Sequence, residues 1–181
     1  MKTEISVDAK ELKGLMENAK LAINKRHHVM DKIKIKVDQD KMQAFSLDGY
    51  RLHTKIIEIH NSSEDIEVLT DYVKVPKSKI CAVTIDTESS LITYDFPELN
   101  EKIIKPIYND LNFPDVENLK DQNETKFTIA CNPKFLIDAL KGFKDSNIII
   151  EFSDNNKPFV ITAANSDDES YNLVLPVRMS K

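Results

Sequence analysis

The chain has 181 residues, of which 41% are hydrophobic and 30% are charged, an ordinary balance for a globular protein. The net charge of -5 at pH 7 argues against a basic domain that coats nucleic acid, although a locally basic face remains compatible with it. No apolar run reaches the ~20 residues that span a bilayer, and the N-terminus lacks the apolar core of a signal peptide. We therefore expect a cytoplasmic protein.

The first 60 residues predict a strand, a helix and three further strands. Residues 3–7 alternate between polar and apolar side chains, as a short strand does. Asp8 follows as the predicted N-cap of a helix over residues 8–24. Beyond His28 the apolar residues recur at every second position, which predicts the three strands. The apolar face of the helix consists of Leu12, Leu15, Met16, Ala19, Ala22 and Ile23.

The same order of elements returns in the last third of the chain. Residues 126–131 (KFTIAC) predict a strand, and Asn132 and Pro133 stand at the N-cap and first position of a helix. Three more strands follow. The apolar side of this helix is predicted to carry Phe135, Leu136, Ala139, Leu140 and Phe143.

Residues 66–117 show a degraded version of this repeat, in which the helix is reduced at best to residues 77–83 (KSKICAV). A repeated β-α-β-β-β unit predicts the α+β class, with helices on one face of antiparallel sheets. We expect one domain over residues 1–117, with two repeats, and a half-domain with one repeat over residues 118–181.

Motifs of catalysis and cofactor binding are missing from the sequence. It contains no glycine-rich phosphate loop, no C-x-x-C pair, no H-E-x-x-H and no nucleophile elbow. The pair His27-His28 could bind a metal only with further ligands nearby, and a solvated helix end is the alternative. Cys81 and Cys131 are too few for a disulfide scaffold and are expected to be small buried side chains. We predict no enzyme, no cofactor and no metal site.

Four segments occur in the same order as four motifs of one protein family. Residues 45–52 (FSLDGYRL) resemble the Asp-Gly-His/Tyr-Arg-Leu turn of the bacterial DNA polymerase III beta subunit, and residues 171–179 (YNLVLPVRM) resemble its closing Leu-Pro-Val-Arg sequence. Residues 112–115 (NFPD) are similar to the segment that closes its middle domain, and residues 132–140 (NPKFLIDAL) to a helix of its last domain. The chain is thus identified as a shortened relative of the bacterial sliding clamps, with clamp-like β-α-β-β-β repeats.

The resemblance implies a non-catalytic accessory protein of DNA replication. Family clamps are rings around DNA, with helices lining the hole, and they bind short peptides of the Gln-Leu-x-Leu-Phe kind from polymerases, the clamp loader and repair proteins. They have three domains of two repeats each, and the first domain and half of the third have no counterpart here. Those parts make the dimer contact in the family, so a ring of this chain would have to close from several short subunits.

Matched residue by residue, the resemblance assigns a peptide-binding pocket to this chain. Its apolar side chains would form a wall for the Leu and Phe anchors of a peptide, while a few polar groups orient the peptide backbone. Asn118 stands where the family often has a basic residue, so peptide preference is expected to differ. For the run from Leu173 to Leu175, the alternative is an ordinary core strand. The assigned residues are Met30, Leu47, Gly49, Tyr50, Arg51, Leu52, Pro114, Asn118, Leu119, Asn156, Pro158, Leu173, Val174, Leu175, Pro176, Val177, Arg178 and Met179.

Lysines on the two predicted helices suggest a surface that contacts double-stranded DNA. Such side chains can bind phosphates without reading the base sequence. The alternative is an ordinary solvated helix face, since Glu11, Glu17 and Asp138 dilute the positive charge. The candidate DNA-binding residues are Lys10, Lys13, Lys20, Lys25, Arg26, Lys134, Lys141 and Lys144.

Two functions of different classes are compatible with these features. The first is a homo-oligomeric sliding clamp that encircles DNA and tethers a polymerase, with other clamp-binding-motif proteins as further clients. The second is a monomeric adaptor or decoy that keeps the peptide pocket and encircles nothing. The missing dimerisation parts favour the adaptor, and the lysines on the helices favour the clamp.

Overall fold

The chain divides into two compact units, called unit 1 (Met1–Glu117) and unit 2 (Asn118–Lys181). No helix among the described residues is long and apolar enough to cross a membrane. The computed structural model describes residues 1–60, 65–116, 128–143, 147–164 and 171–177.

Unit 1 contains one α-helix and eight strands in its described part. The predicted sequence of a strand, a helix and three strands is confirmed over the first 60 residues. A short 3-10 turn, Pro97–Leu99, connects the last two strands of the unit. The elements are β1 (Lys2–Asp8), α1 (Ala9–Lys20), β2 (Ile33–Asp38), β3 (Lys41–Leu47), β4 (Leu52–Glu58), β5 (Ile66–Thr70), β6 (Ile80–Asp86), β7 (Leu91–Phe96) and β8 (Glu101–Pro106).

The strands of unit 1 form two antiparallel sheets, in the orders β4-β3-β2-β5 and β1-β6-β7-β8. The first strand of each repeat therefore lies in the sheet of the other repeat. β1 pairs with β6 from Lys2↔Asp86 to Asp8↔Ile80, and β5 pairs with β2. The sequence pattern alone would suggest one separate sheet for each repeat. Instead, each repeat contributes its first strand to the sheet of the other.

Helix α1 begins at the predicted N-cap. The Asp8 carboxylate accepts hydrogen bonds from the backbone N–H groups of Lys10 (2.7 Å) and Glu11 (3.1 Å), which would otherwise lack partners at a helix start. The helix ends at Lys20, one turn earlier than predicted. It contacts β3 and β4 of one sheet and β1 and β6 of the other. Leu12 and Met16 are fully buried there, and burial of such a side chain contributes about 1.5–3 kcal/mol.

The predicted short helix at residues 77–83 is wrong. Residues 71–79 contain no helix, and Ile80–Asp86 is strand β6. Buried Cys81, Val83 and Ile85 alternate along it with more exposed residues, which is the period of a strand. Only one of the two repeats in unit 1 therefore has a helix among the described residues.

The described part of unit 2 forms an antiparallel sheet of three strands in the order β11-β10-β9. Its helix begins as predicted, since the Asn132 side chain accepts a hydrogen bond from the backbone N–H of Lys134 at 2.9 Å. The predicted strand at residues 126–131 is not found in its described part: residues 128–131 make one isolated bridge, Cys131↔Pro176. The elements are α2 (Pro133–Lys141), β9 (Ile148–Glu151), β10 (Phe159–Ala163) and β11 (Tyr171–Val174).

The core of unit 2 is small. Its buried residues are Phe159, Ile161 and Val174, and no residue of α2 is fully buried. Leu136, Ala139, Leu140 and Phe143 pack partly against this core. The predicted packing of Phe135 is wrong, because this side chain is 61% exposed. The inner residues follow a spacing of three, four and seven positions, and Phe135 falls outside that stripe.

The two cysteines have different surroundings. Cys81 is buried, as predicted, and the desolvation raises the pKa of its thiol to about 12. Cys131 is only half-buried, so the prediction of a buried side chain is wrong at this position. Cys81 is therefore a small apolar residue of the core rather than a reactive thiol.

Candidate functional site

A tight turn between β3 and β4 carries three of the predicted pocket residues, Gly49, Tyr50 and Arg51. The Asp48 carboxylate accepts hydrogen bonds from the backbone N–H groups of Tyr50 (3.0 Å) and Arg51 (2.8 Å), and from the Arg51 side-chain Nε (2.9 Å). Gly49 has φ +90°, a conformation that only glycine adopts without strain. The Arg51 guanidinium, with these N–H donors, lowers the pKa of Asp48 to about 2. The turn is thus held as a rigid loop.

The link between α1 and β2 lies against this turn through Asn24. The Asn24 backbone N–H donates to the carbonyl of Met30 at 2.9 Å, and its side chain donates to the carbonyl of Asp48 at 3.5 Å. His27 stabilises the same link, since its Nδ1 accepts from the N–H groups of Val29 and Met30 at 3.3 Å. The structure thereby brings Met30 to the same edge of unit 1 as the turn.

The pocket residues at this edge are partly or fully accessible. Leu47 and Leu52 face each other across the β3–β4 pair, and both are half-buried, as is Met30. Tyr50 is 97% exposed at the tip of the turn. Pro114, later in unit 1, is also exposed. Unit 1 therefore offers a half-buried apolar patch bordered by an exposed aromatic ring.

The end of unit 2 presents a second set of apolar side chains. Leu173, Leu175 and Val177 are exposed, and Leu175 reaches 69% exposure. Val174 lies between them along the chain and is buried in the core of unit 2. Because side chains on an extended segment alternate between two faces, residues 173, 175 and 177 share the outer face.

Beyond the end of β11, residues 176–177 pair with residues 130–131 of the same unit. Pro176 is half-buried and forms the bridge to Cys131, and the N–H of Val177 donates to the carbonyl of Ala130 at 2.7 Å. Asn156 and Pro158 are exposed in the link between β9 and β10. The predicted residues Asn118, Leu119, Arg178 and Met179 lie outside the described residues.

Unit 2 also contains an apolar cleft of about 280 Å³ that was not predicted. Its lining residues occur at helical or strand spacing in the sequence. Such spacing indicates which side chains share a face, but it does not indicate whether the space between them is filled or forms a cleft. The lining side chains are Ile129, Cys131, Leu136, Ile150, Phe152 and Phe159.

The candidate DNA-binding residues are exposed wherever they are described, and Lys144 lies outside the described residues. Lys20 stacks over the ring of Tyr72 at 5.4 Å, and Lys141 pairs with Asp138 at 2.9 Å. Counted from the N-caps, the exposed Phe135 and Ile137 of α2 hold the positions of Glu11 and Lys13 in α1. The outward face of α2 is therefore more apolar than that of α1.

Within the described residues, no group of three or more His, Cys, Asp or Glu side chains could hold a metal ion. His27 and His28 stack on each other with ring centroids 5.1 Å apart. The Nδ1 of His27 already accepts backbone hydrogen bonds, which leaves this histidine as a stabiliser of the link.

Comparison with known proteins gives a consistent result. Residues 114–178 match the family model of the DNA polymerase III beta subunit, C-terminal domain. The beta sliding clamp of Streptococcus pneumoniae serotype 4 is 31% identical over 71 residues, which cover 36% of this chain and 19% of that protein. The beta sliding clamp structure from C. crescentus has a TM-score of 0.72 at 10% identity, covering 97% of this chain and 50% of that one. The H. pylori beta clamp has a TM-score of 0.66 at 14% identity, covering 98% and 51%.

These findings define an α+β protein with the fold of the DNA clamps, so the predicted fold class is confirmed. Residues 114–178 are similar to the C-terminal domain of the DNA polymerase III beta subunit, and the fold is that of the bacterial sliding-clamp family, as the motifs had indicated. Members of that family are non-catalytic processivity factors. The chain aligns with 19% of the length of its curated relative and with about half of the solved clamps above.

Proposed function

We propose that this chain is a non-catalytic, cytoplasmic DNA sliding-clamp-like protein that binds clamp-binding peptides of polymerases and repair proteins. The observation that carries the proposal is the exposure of Leu173, Leu175 and Val177 within the segment that matches the clamp C-terminal domain. A soluble chain rarely leaves such a run uncovered without a partner. The half-buried patch at the β3–β4 turn supplies further apolar surface.

The expected affinity follows from the chemistry of the exposed side chains. Burying one Leu and one Phe anchor of a peptide contributes about 3–6 kcal/mol before entropy losses. Polar contacts to the peptide backbone add to this value. Micromolar binding, which lets one client exchange for another, requires about 8 kcal/mol, so contacts beyond the two anchors have to supply the rest.

Fluorescence polarisation with a labelled Gln-Leu-x-Leu-Phe peptide tests this site. Leu52→Asp and Pro176→Asp, made separately, should each abolish binding, because each places a charge within an apolar surface. Ile104→Asp is the control, since Ile104 is exposed on β8 outside the candidate site. Unchanged affinity in both site variants would rule out the proposed pocket.

We also propose that the exposed lysines of α1 contact the phosphates of double-stranded DNA. Lys13→Glu combined with Lys20→Glu should weaken retention on circular DNA and make it less dependent on salt, because fewer phosphates are neutralised. Lys102→Glu combined with Lys105→Glu on β8 reverses the same charge outside the helix and should have little effect. Equal retention of all three proteins would leave the helix lysines as solubilising residues.

The monomeric adaptor or decoy is the second candidate function. The exposed Phe135 and Ile137 favour it, because these apolar side chains occupy helix positions that would face DNA in a ring. Light scattering after size exclusion separates the two functions. A multimer large enough to surround a duplex supports the clamp, whereas a strict monomer of 20.7 kDa that competes with a sliding clamp for peptide supports the adaptor.

A further inference from the structure

The outer edge of β9 pairs with no described strand, whereas the matching strand of unit 1, β2, is paired on both edges. In unit 1, β2 is the first of three consecutive strands, and β5 covers its outer edge from Ile33↔Thr70 to Val37↔Ile66. In unit 2, β9 is the first of three consecutive strands, and no described strand pairs with its outer edge. Among the residues that the structure describes, the sheet of unit 2 thus has three strands, whereas both sheets of unit 1 have four.

A set of isolated bridges establishes which segment corresponds to that fourth strand. In each repeat, the first extended segment bridges to the residues that follow the last strand of the same repeat: Ser6↔His60, Thr70↔Ile107 and Cys131↔Pro176. Residues 128–131 are therefore the counterpart of β1 and β5. Unlike β1 and β5, this segment pairs with no strand of the described chain.

The composition of the open edge makes exposure to water unfavourable. Free edge strands usually carry charges that prevent pairing with another chain, and β8 has Lys102 and Lys105. β9 instead begins with three isoleucines, of which Ile149 is 47% exposed. The adjacent apolar cleft is open as well. An edge of this kind is a template for one more strand.

We propose that unit 2 is half of a domain that a second copy of this chain completes. Residues 128–131 of each copy pair antiparallel with β9 of the other, just as β5 pairs with β2 and β1 with β6 inside unit 1. Each copy then gains a four-stranded sheet, and apolar side chains of the partner fill the cleft beneath α2. The contact is two-fold symmetric and closes with two copies.

A second copy fits this surface better than an unrelated peptide. Every copy carries both an open edge and an unpaired first segment. In a dimer, the first segment of each copy pairs with the open edge of the other. Residues 128–131 are TIAC and carry no charge, and β9 is IIIE, with one charge at its end, Glu151. No like charges therefore oppose each other in the pairing, and the reciprocal exchange inside unit 1 shows that this repeat is built for it.

Sedimentation equilibrium or light scattering of the full chain tests the proposal. The wild-type protein should form a concentration-dependent dimer of about twice 20.7 kDa. Ile149→Lys places a charge on the open edge and should shift the protein to a monomer. Ile104→Lys is the matched control, because this isoleucine is 57% exposed on the edge strand β8 and should leave the dimer intact. A monomeric wild type, or a dimer that persists in Ile149→Lys, would overturn the proposal.

Hydrogen exchange of the unaltered protein gives a test that needs no variant. Amides in residues 128–131 and 147–152 should exchange more slowly at high protein concentration than at low concentration, because pairing protects them. The edge strand β4 should show no change. Exchange that is independent of concentration in both segments would contradict the proposed pairing. Binding of the client peptide is measured in a separate experiment, so the proposed dimer and the proposed peptide site can each fail without the other.

Discussion

The two helices are capped in the same way but are buried to different extents. A side chain caps each at the same position, Asp8 for α1 and Asn132 for α2. Leu12 and Leu136 both lie four residues after the cap, yet Leu12 is fully buried and Leu136 only partly. α1 contacts two four-stranded sheets, whereas the part of unit 2 described in the structure contains one sheet of three strands. Local sequence is therefore enough to form the helix, but a second repeat is needed to bury it.

Paired truncations of the two leucines should show the largest difference between the units. Leu12→Ala leaves a cavity in a closed core and should lower the free energy of unfolding of unit 1 by about 2–5 kcal/mol. Leu136→Ala should cost unit 2 only about 1 kcal/mol, because part of the side chain already lies in water. Urea denaturation followed by hydrogen exchange in each unit measures both values.

If the two variants lost equal unfolding free energy at low protein concentration, the expected difference between the units would be wrong. Equal losses only at high concentration would instead support the proposed dimer. If a second copy covers the cleft, Leu136 becomes buried, and the cost of Leu136→Ala should rise toward that of Leu12→Ala.

The caps should differ by less than the leucines do. Asp8 accepts two backbone hydrogen bonds and Asn132 accepts one, and a negative charge also interacts favourably with the start of a helix. Asp8→Ala should cost about 1–2 kcal/mol and Asn132→Ala about 0.5–1 kcal/mol. Asn132→Asp is the matched control and should slightly stabilise unit 2. A larger loss for Asn132→Ala than for Asp8→Ala, measured as urea midpoints, would reverse the expected order.

The smallest expected effect is the pH dependence of the β3–β4 turn. The pKa of Asp48 is lowered to about 2 in the folded chain, so its ionised form stabilises the turn above the usual aspartate range. This contribution is lost as the pH falls toward 2. NMR titration should show the amide of Arg51 shifting with the Asp48 carboxyl, and Asp48→Asn should remove that response. Titration of Asp48 near pH 4 would contradict the rigid turn.

The sequence predicted well those features that depend on near neighbours. The cap at Asp8, the helix stripe from Leu12 and the alternation from Ile33 to Val37 are all recognised from residues a few positions apart. The turn at Asp48 and Gly49 was also predictable, because its chemistry lies within four residues.

The wrong predictions concern features that depend on distant contacts. A short apolar run such as residues 77–83 fits a helix or a strand, and pairing of Ile80 with Asp8 decides for a strand. The pattern of the repeats does not reveal that their first strands are exchanged. For the candidate site, the motif located the exposed Leu173 and Leu175, but the inward direction of Val174 follows from its pairing with Phe159.

The pairing of β1 with β6 affects how the chain can fold during synthesis. Residues 2–8 leave the ribosome well before their partner strand, which ends at Asp86. At about 5–20 residues per second, β1 waits several seconds before it can enter its sheet. During that time its apolar side chains Ile5 and Val7 have no native sheet to join. A nascent chain that ends before Asp86 should therefore hold an unfinished unit 1 that is open to chaperones and proteases.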